Sequence, residues 1–283
     1  MHIHNALTVD VEDYFHVTAF EKNIKREDWA FHVLRVEKNT SRILDLFAEH
    51  HVQGTFFILG WVAERLPNLV KEVRDRGHEV ACHGYGHERI YNIGPDNFRE
   101  DIRKSKQLLE EICGSKIYGY RAPSFSITER SVWALDILIE EGFLYDSSIF
   151  PIYHDIYGMR GVDRFPHEIQ RSAGVIKEFP MSTFAVGSRK KNYKIPVSGG
   201  GYLRLFPLWF IKHAINSINT RDRQPAVLYF HPWEIDPDQP RVKANLKSRF
   251  RHYHSLRKTY GKIGDLLSTF SFAPMGKVLG VIP

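Results

Sequence analysis

The sequence predicts an α/β fold built on a parallel sheet or barrel, because short apolar runs alternate with amphipathic stretches. The apolar runs have the length and composition of buried strands, and the stretches between them repeat their apolar residues at helical spacing. Polar residues follow several predicted strands, at the position where ligands collect in α/β folds. In the first half of the chain the predicted strands are residues 6–13, 53–59 and 77–81, and the predicted helices are residues 39–50, 61–76 and 95–113.

The same alternation continues in the second half of the chain. Between residues 149 and 171 the periodicity fails, and this stretch rich in Tyr, His and Pro predicts an irregular, functional insertion. The glycines at 199–201 resemble a phosphate loop but lack its Lys-Ser/Thr ending, so we expect a substrate-lining loop or a close backbone approach there. The remaining predicted elements are a helix at residues 129–141 and strands at residues 118–125, 143–148, 175–180 and 226–234.

Composition favours a single domain over residues 1–283. With 283 residues, 43% of them hydrophobic, the chain can bury one large core, and it shows no linker or internal repeat. The formal charge of +6 is compatible with an anionic polymer, a membrane surface or nucleic acid. Its basic residues are dispersed except in a predicted helical segment around residues 241–270, which resembles a charged helix face or a substrate rim. No nucleic-acid partner is therefore expected.

Cysteine usage and the N-terminus indicate a cytoplasmic protein. Only Cys82 and Cys113 are present, so a disulfide framework is not indicated. The first residues lack the basic start and apolar run of a signal peptide, and no apolar run approaches the roughly 18 residues that cross a bilayer. We therefore expect a cytoplasmic location.

Two histidines, His83 and His87, follow the predicted strand at 77–81. Four positions apart, they can lie on one face of a helical turn and present ring nitrogens to one cation. A spaced pair is more often structural or solvated than metal-binding in a chain with 15 histidines, so the interpretation needs an acidic partner.

Three acids, Asp10, Glu12 and Asp13, end the first predicted strand. Clustered carboxylates raise each other's pKa, whereas a divalent cation stabilises their ionised forms and leaves one free as a base. The alternative interpretation is a helix N-cap with acids in its first turn.

Arg121 and His231 also follow predicted strands. An Arg in this position can orient a carboxylate through a bidentate pair and so hold a catalytic base, or it can be a surface residue before a turn. A single His after a strand is more often structural than catalytic. A catalytic role for His231 therefore depends on other functional residues nearby.

In chain order, five segments resemble the motifs of the NodB-homology polysaccharide deacetylases, a family of carbohydrate esterases. The His-x-x-x-His segment resembles the metal motif, the Arg-x-Pro segment resembles the motif that orients the base, and the Leu-x-x-His segment resembles the motif of the general acid. The remaining two resemble the acidic first motif and the Asp-Ser motif of the groove wall. The five segments are residues 8–13, 83–87, 121–123, 145–148 and 228–231.

Within the family, Val-Glu-Asp-Tyr-Phe, Ser-Gly-Gly-Gly-Tyr and His-Pro-Trp-Glu are most similar to the exosortase-associated exopolysaccharide deacetylases. Two departures stand out. Val11 follows Asp10 where the family has adjacent aspartates, so the metal acid is either Glu12, on the face of Asp10, or Asp13, after the strand has turned. Gly84 replaces a Ser or Thr that would brace the loop.

The resemblance implies a distorted (β/α) barrel of about seven strands with its site at the carboxyl ends of the strands. It implies a divalent metal, zinc before cobalt, nickel or manganese, on His83, His87 and one of Glu12 and Asp13. Asp10 would be the base, braced by Arg121, and His231 the acid that protonates the departing amine. The residues implied for substrate binding are Tyr85, Pro123, Phe125, Asp146, Tyr202 and Trp233, with Tyr85 or nearby amides also facing the oxyanion.

The implied activity is removal of N-acetyl groups from amino sugars of a bacterial exopolysaccharide or its lipid-linked precursor, at the inner face of the membrane if the precursor is lipid-linked. An N-acetylated polysaccharide or oligosaccharide is the expected partner, with possible peripheral membrane contact and no expectation for the oligomer. Two alternatives stay open. One is hydrolysis of a small non-sugar amide on the same scaffold, and the other is a non-catalytic carbohydrate-binding protein.

Overall fold

The computed structural model describes residues 3–154, 156–188 and 191–282. Two sheets form within this part of the chain. The strands are β1 (Asn5–Val11), β2 (Thr55–Ile58), β3 (Glu79–Cys82), β4 (Gly119–Tyr120), β5 (Tyr145–Asp146), β6 (His167–Arg171), β7 (Gly174–Glu178), β8 (Thr183–Ser188), β9 (Lys191–Pro196), β10 (Val227–Phe230) and β11 (Phe272–Ala273).

The larger sheet has the strand order β10-β1-β2-β3-β4-β5-β7-β6, and β11 pairs with the start of β1. Among the described residues, the seven strands from β10 to β7 run parallel, and β6 joins β7 as an antiparallel hairpin. This arrangement confirms the predicted α/β fold. The path of strands is open, and loop residues cover the outer edge of β10, where the amides of Val227 and Tyr229 donate to Ser182 Oγ and to the carbonyl of Ser198.

Helices connect and cover the parallel strands. The second predicted helix is split, because the chain leaves helical geometry at Leu66 and starts again at Pro67. The helices are α1 (Val36–Glu49), α2 (Gly60–Arg65), α3 (Pro67–Asp75), α4 (Ile90–Cys113), α5 (Ala134–Glu140), α6 (Gly201–Leu205), α7 (Leu208–Ser217), α8 (Leu246–Tyr253), α9 (Leu256–Leu267) and α10 (Met275–Val278).

Several predicted boundaries differ from the structure. Helix α4 starts at Ile90 and is kinked at Gly94, whose φ of 78° lies in the left-handed region, so its regular part begins at the predicted position. Helix α5 starts later than predicted. The expected irregular insertion ends in the strand β6, and the hairpin of β8 and β9 was not predicted. The basic segment predicted at 241–270 contains α8 and α9.

Alternation along the strands separates the two sides of the sheet. Leu7 and Val9 of β1 pack under the surrounding helices, whereas Ala6 faces an inner cluster that includes Phe57 of β2 and Tyr229 of β10. In the part of the chain that the structure describes, we find no helix with both the length and the apolar character needed to cross a membrane.

Candidate active site

Four strands within a run of five bring the predicted catalytic and metal-binding residues together. In the sheet order, β10 and β2 flank β1, and β3 and β4 follow. Asp10 and Glu12 stand at the end of β1, and His83, Arg121 and His231 directly follow β3, β4 and β10. Because the strands are parallel, these five residues meet at one edge of the sheet.

Glu12 lies between the two histidines of the predicted pair. Its Oε1 is 3.0 Å from His83 Nε2 and 3.1 Å from His87 Nε2, and the three side chains form a group that could hold a metal ion. Burial alone would raise the pKa of Glu12, but His87 and His231 facing it hold this pKa well below its usual range.

The hydrogen bonds of His83 suit a metal ligand. Nδ1 donates to the carbonyl of Arg121 over 2.8 Å, which leaves Nε2 as the ring nitrogen that faces the Glu12 carboxylate and is available to a metal. Two acceptors so close together, both buried, are stable only with a proton or a cation between them. The donor set of two imidazole nitrogens and one carboxylate oxygen therefore fits a divalent metal such as zinc.

The loop that carries the histidines is not the helical turn that their spacing allowed. Gly84 and His87 have φ angles of 72° and 52°, and β3 ends before them. Asp101 of α4 holds the loop by accepting from the amides of Tyr85 at 2.7 Å and Gly86 at 3.1 Å. A Cβ on residue 84 would lie 2.8 Å from Asp101 Oδ2, so this carboxylate occupies the space next to Gly84. Asp101 thus braces a loop that has no hydroxyl at residue 84, and the two amides that donate to it are not free to face an oxyanion.

Asp13, the other acid considered for the metal, points elsewhere. Its Oδ2 accepts from the amides of Arg35 at 2.6 Å and Val36 at 2.9 Å, where α1 begins, and its Oδ1 accepts from Tyr14 N at 2.9 Å. Burial raises the pKa of Asp13, although these amides act in the opposite direction. The chain turns after β1 so that Glu12 faces the histidines and Asp13 caps a helix.

Arg121 holds Asp10 from below. The guanidinium is 0% exposed, and its Nη1 donates to Asp10 Oδ1 at 2.6 Å and Thr8 Oγ1 at 2.8 Å. Ser147 accepts twice more, through its carbonyl at 3.1 Å and its Oγ at 3.0 Å. One oxygen of Asp10 is thereby fixed, and the other, Oδ2, lies 3.9 Å from His231 Nε2.

His231 is oriented by a carboxylate that the sequence interpretation missed. Glu234 Oε2 lies 3.1 Å from His231 Nδ1 and accepts from the His231 amide at 3.0 Å. Its other oxygen accepts from Arg204 Nε at 2.6 Å. Glu234 stands in the His-Pro-Trp-Glu segment three positions after His231, and that spacing was the available signal. Arg204, which lies on α6, gave no such signal in the sequence.

These contacts set the charge of His231. Burial alone would lower the pKa of His231, but the carboxylates of Glu12, Glu234 and Asp10 outweigh it and raise this pKa to about 9. Burial acts against ionisation of Glu234, yet Arg204 and His231 lower its pKa to about 2. His231 is therefore protonated at neutral pH.

The residues implied for substrate binding are placed unequally. Pro123 and Phe125 are buried, and Trp233 is buried between the rings of His231, at 5.1 Å, and His252, at 4.2 Å. Trp233 thus packs beneath the acid instead of presenting an exposed face to a sugar. Tyr202 and Tyr85 are half-buried, and the Tyr85 hydroxyl donates to Glu64 Oε2 at 2.9 Å.

Asp146 does not line a groove, because it is fully buried against Glu178 of β7. Its Oδ1 accepts from Ser148 Oγ at 2.5 Å, and Glu178 Oε1 accepts from the Ile149 amide at 3.0 Å. Burial and then the charge of Asp146 raise the pKa of Glu178 well above its usual range. The pair therefore keeps a proton to a higher pH than a free carboxyl group does, and it supports the loop that follows β5.

Two family models match the chain. Residues 27–138 match the model described as Polysaccharide deacetylase. This part of the chain is therefore similar to polysaccharide deacetylases. Residues 147–280 match a domain of unknown function, DUF3473. His83, His87 and Arg121 lie in the segment that matches the polysaccharide deacetylase model, whereas His231 and Glu234 lie in the second matched segment.

Curated deacetylases are among the similar sequences. A peptidoglycan-N-acetylglucosamine deacetylase from Bacillus cereus is 35% identical over 98 residues, which are 34% of this chain and 36% of that protein. A peptidoglycan deacetylase from Helicobacter pylori is 33% identical over 113 residues, 40% of this chain and 38% of that protein. The chain thus spans little more than a third of the length of these relatives.

Solved structures share the fold over nearly the whole chain. A Mycobacterium smegmatis structure described as a polysaccharide deacetylase covers 97% of this chain and 88% of its own, with a TM-score of 0.61 and 21% identity. A structure of an allantoinase covers 99% of this chain and 89% of its own, with a TM-score of 0.60 and 15% identity. The structure of a CE4 family pseudoenzyme from Bacillus anthracis covers 99% of this chain and 66% of its own, with a TM-score of 0.51 and 14% identity. At these identities the likeness concerns the fold.

Proposed function

We propose that this protein is a metal-dependent hydrolase that removes N-acetyl groups from amino sugars of a bacterial exopolysaccharide or its lipid-linked precursor, as in the exosortase-associated subgroup. One observation carries the proposal: a carboxylate held by a buried Arg, a carboxylate between two histidines, and a His paired with a buried Glu meet at one edge of the sheet. Asp10 Oδ2 and Glu12 Oε1 lie 3.9 Å and 3.8 Å from His231 Nε2.

Glu12, His83 and His87 would hold the metal, and Asp13 would not. We propose zinc, because three N and O ligands leave a position open for water and substrate; cobalt, nickel and manganese would suit the same donors. When bound, the metal would polarise the acetyl carbonyl and lower the pKa of a water molecule.

Asp10 would act as the general base. Its Oδ1 is fixed by Arg121 at 2.6 Å, so Oδ2 is the oxygen available to take a proton from the attacking water. The geometry is rigid because every Arg121 nitrogen is engaged and the guanidinium also lies 4.1 Å from the Phe57 ring.

His231 would act as the general acid. Its Nδ1 is bound to Glu234, so the proton on Nε2 points toward Asp10 and Glu12 and can pass to the departing amine nitrogen. The water proton taken by Asp10 and the proton given by His231 balance, and the products are acetate and a free amino sugar. Each role contributes about 10²- to 10⁴-fold to the rate.

A glycan substrate is favoured over a small amide by the sequence likeness to two peptidoglycan deacetylases, whereas likeness to the allantoinase is at the level of fold. We propose action on cytoplasmic, lipid-linked material, with the basic segment of α8 and α9 as the part that contacts the membrane surface.

Acetate release tests the function. The substrates are N-acetylglucosamine oligomers and an extracted exopolysaccharide, supplied with zinc or cobalt, and the proteins are wild type, Asp10→Asn and His83→Ala. Release by wild type and its loss in both variants supports the hydrolase. A wild type that binds these glycans but releases no acetate would instead support the non-catalytic alternative. Hydrolysis of allantoin, measured as its consumption, without acetate release from any glycan would support the small-amide alternative.

A further inference from the structure

A groove of about 590 Å³ lies between the irregular insertion and the hairpin of β8 and β9. Its lining includes three tyrosines and two cations, which we call the tyrosine-cation groove: Tyr153, Arg160, Tyr193, Lys194 and Tyr202. Tyr153 and Tyr193 are 71% and 63% exposed, which is unusual for large aromatic side chains. Exposed aromatic residues beside a groove mark a binding surface.

A series of packed aromatic rings connects the groove to the candidate active site. The His231 ring lies 5.8 Å from that of Tyr229, Tyr229 lies 5.0 Å from Phe125, and Phe125 lies 6.1 Å from Tyr157. The Tyr157 hydroxyl is 3.1 Å from that of Tyr202, which lines the groove. Tyr229 and Phe125 are buried, so these packed rings fix the position of the groove relative to His231.

The charge of the groove is positive. Neither Arg160 nor Lys194 forms an ion pair within the described residues, and none of the described residues that line the groove is acidic. The Arg160 guanidinium lies 4.1 Å from the Tyr153 ring, and Lys194 Nζ donates to the Val162 carbonyl at 3.4 Å. Each cation is thus positioned by a neutral neighbour and keeps donors for an anion.

The charge of Lys194 is compensated only in part by its surroundings. Burial and then the charge of Arg164 lower the pKa of Lys194, and the opposing contribution of Asp163 is smaller. An anion bound in the groove would relieve this unfavourable environment.

We infer that the tyrosine-cation groove binds carboxylate-bearing sugars of an acidic polysaccharide whose N-acetylated sugar lies at His231. The inference rests on the proposed function and specifies its substrate. The tyrosine faces pack against the apolar faces of sugar rings, and the guanidinium of Arg160 pairs with a carboxylate. A neutral polymer such as chitin offers no partner for these cations.

Binding of two hexasaccharides tests the inference. Hyaluronan hexasaccharide alternates glucuronate with N-acetylglucosamine, and chitohexaose has the same length without charge. Both are titrated into the Asp10→Asn protein with zinc supplied, so that turnover does not interfere. We expect tighter binding of the hyaluronan hexasaccharide, and a loss of about 3- to 20-fold in its affinity when Arg160→Gln and Lys194→Gln are added.

The matched control is Lys71→Gln, which removes an exposed cation of α3. It should leave both affinities unchanged. Equal affinity for the two hexasaccharides, or equal losses in the groove and control variants, would overturn the inference. Preference for the acidic hexasaccharide in a wild-type protein that releases no acetate would refute the hydrolase and leave the groove standing, so the two proposals fail separately.

Discussion

A single oxygen of Glu234 contacts both the ring and the backbone of His231: Oε2 lies 3.1 Å from Nδ1 and 3.0 Å from the backbone amide nitrogen. Glu234 is itself held at 2.6 Å by Arg204, whose Nη1 also donates to the carbonyls of Arg251 at 2.7 Å and His252 at 2.9 Å. The orientation of the proposed acid therefore depends on α8, in the segment that matches the domain of unknown function.

Glu234→Gln should shift the pH dependence of the reaction. His231 must be protonated to act as an acid, so kcat/KM falls as pH rises through its pKa, which burial lowers and the carboxylates of Glu12 and Glu234 raise. Removing the negative charge of Glu234 lowers that pKa, and the alkaline limb moves down by on the order of one pH unit. The control is Glu168→Gln, on the exposed side of β6. An unmoved alkaline limb in Glu234→Gln would contradict this role.

Arg121→Met should destabilise the protein by about 3–5 kcal/mol, because it leaves the buried Asp10 carboxylate without its partner. Urea unfolding measures the effect. Adding Asp10→Asn removes the orphaned charge, so the double variant should be more stable than Arg121→Met alone. If the changes in the free energy of unfolding caused by the two substitutions are simply additive, Arg121 and Asp10 do not stabilise the protein as a pair.

Glu178→Gln should stabilise the protein at alkaline pH. The pKa of Glu178 is raised well above the value of 4.5, so its contribution to stability is fully present below 4.5 and is lost as pH rises through the folded-state pKa. The side chain of glutamine does not titrate in this pH range. Unfolding free energies at about pH 5 and about pH 8 should therefore differ less in the variant than in wild type, and an equal pH dependence would refute the shared proton.

Asp101→Ala should weaken metal binding although Asp101 is not a proposed ligand. It releases the amides of Tyr85 and Gly86, which set the course of the loop between the histidines. Loss of such support typically costs about 10- to 100-fold in metal affinity. Zinc titration gives the value, with the exposed Asp75→Ala as control. Unchanged affinity would show that the loop holds its shape without Asp101.

The sequence predicted the alternation of strands and helices because buried strands and amphipathic helices differ in period, and it placed Asp10, His83 and His231 at strand ends. It left Glu12 and Asp13 unresolved, since the choice depends on how the chain turns after β1. Asp146 was expected in a groove, but its burial depends on Glu178, which is distant in the chain.

Supporting residues were the hardest to predict. Asp101 acts from α4 on a loop of residues 83–87, and Arg204 acts from α6 on Glu234. Neither belongs to a local pattern, because their partners are brought near only by the packing of helices on the sheet. The stacking of Trp233 under His231 likewise depends on His252 of α8.

The most direct test of the account is zinc binding by wild type, Glu12→Gln and Asp13→Asn, measured by titration with a competing chelator. The structure predicts that Glu12→Gln loses most of its affinity while Asp13→Asn, whose side chain can still accept from the amides that start α1, binds zinc as wild type does. Loss of affinity in Asp13→Asn with unchanged affinity in Glu12→Gln would contradict the proposed metal centre.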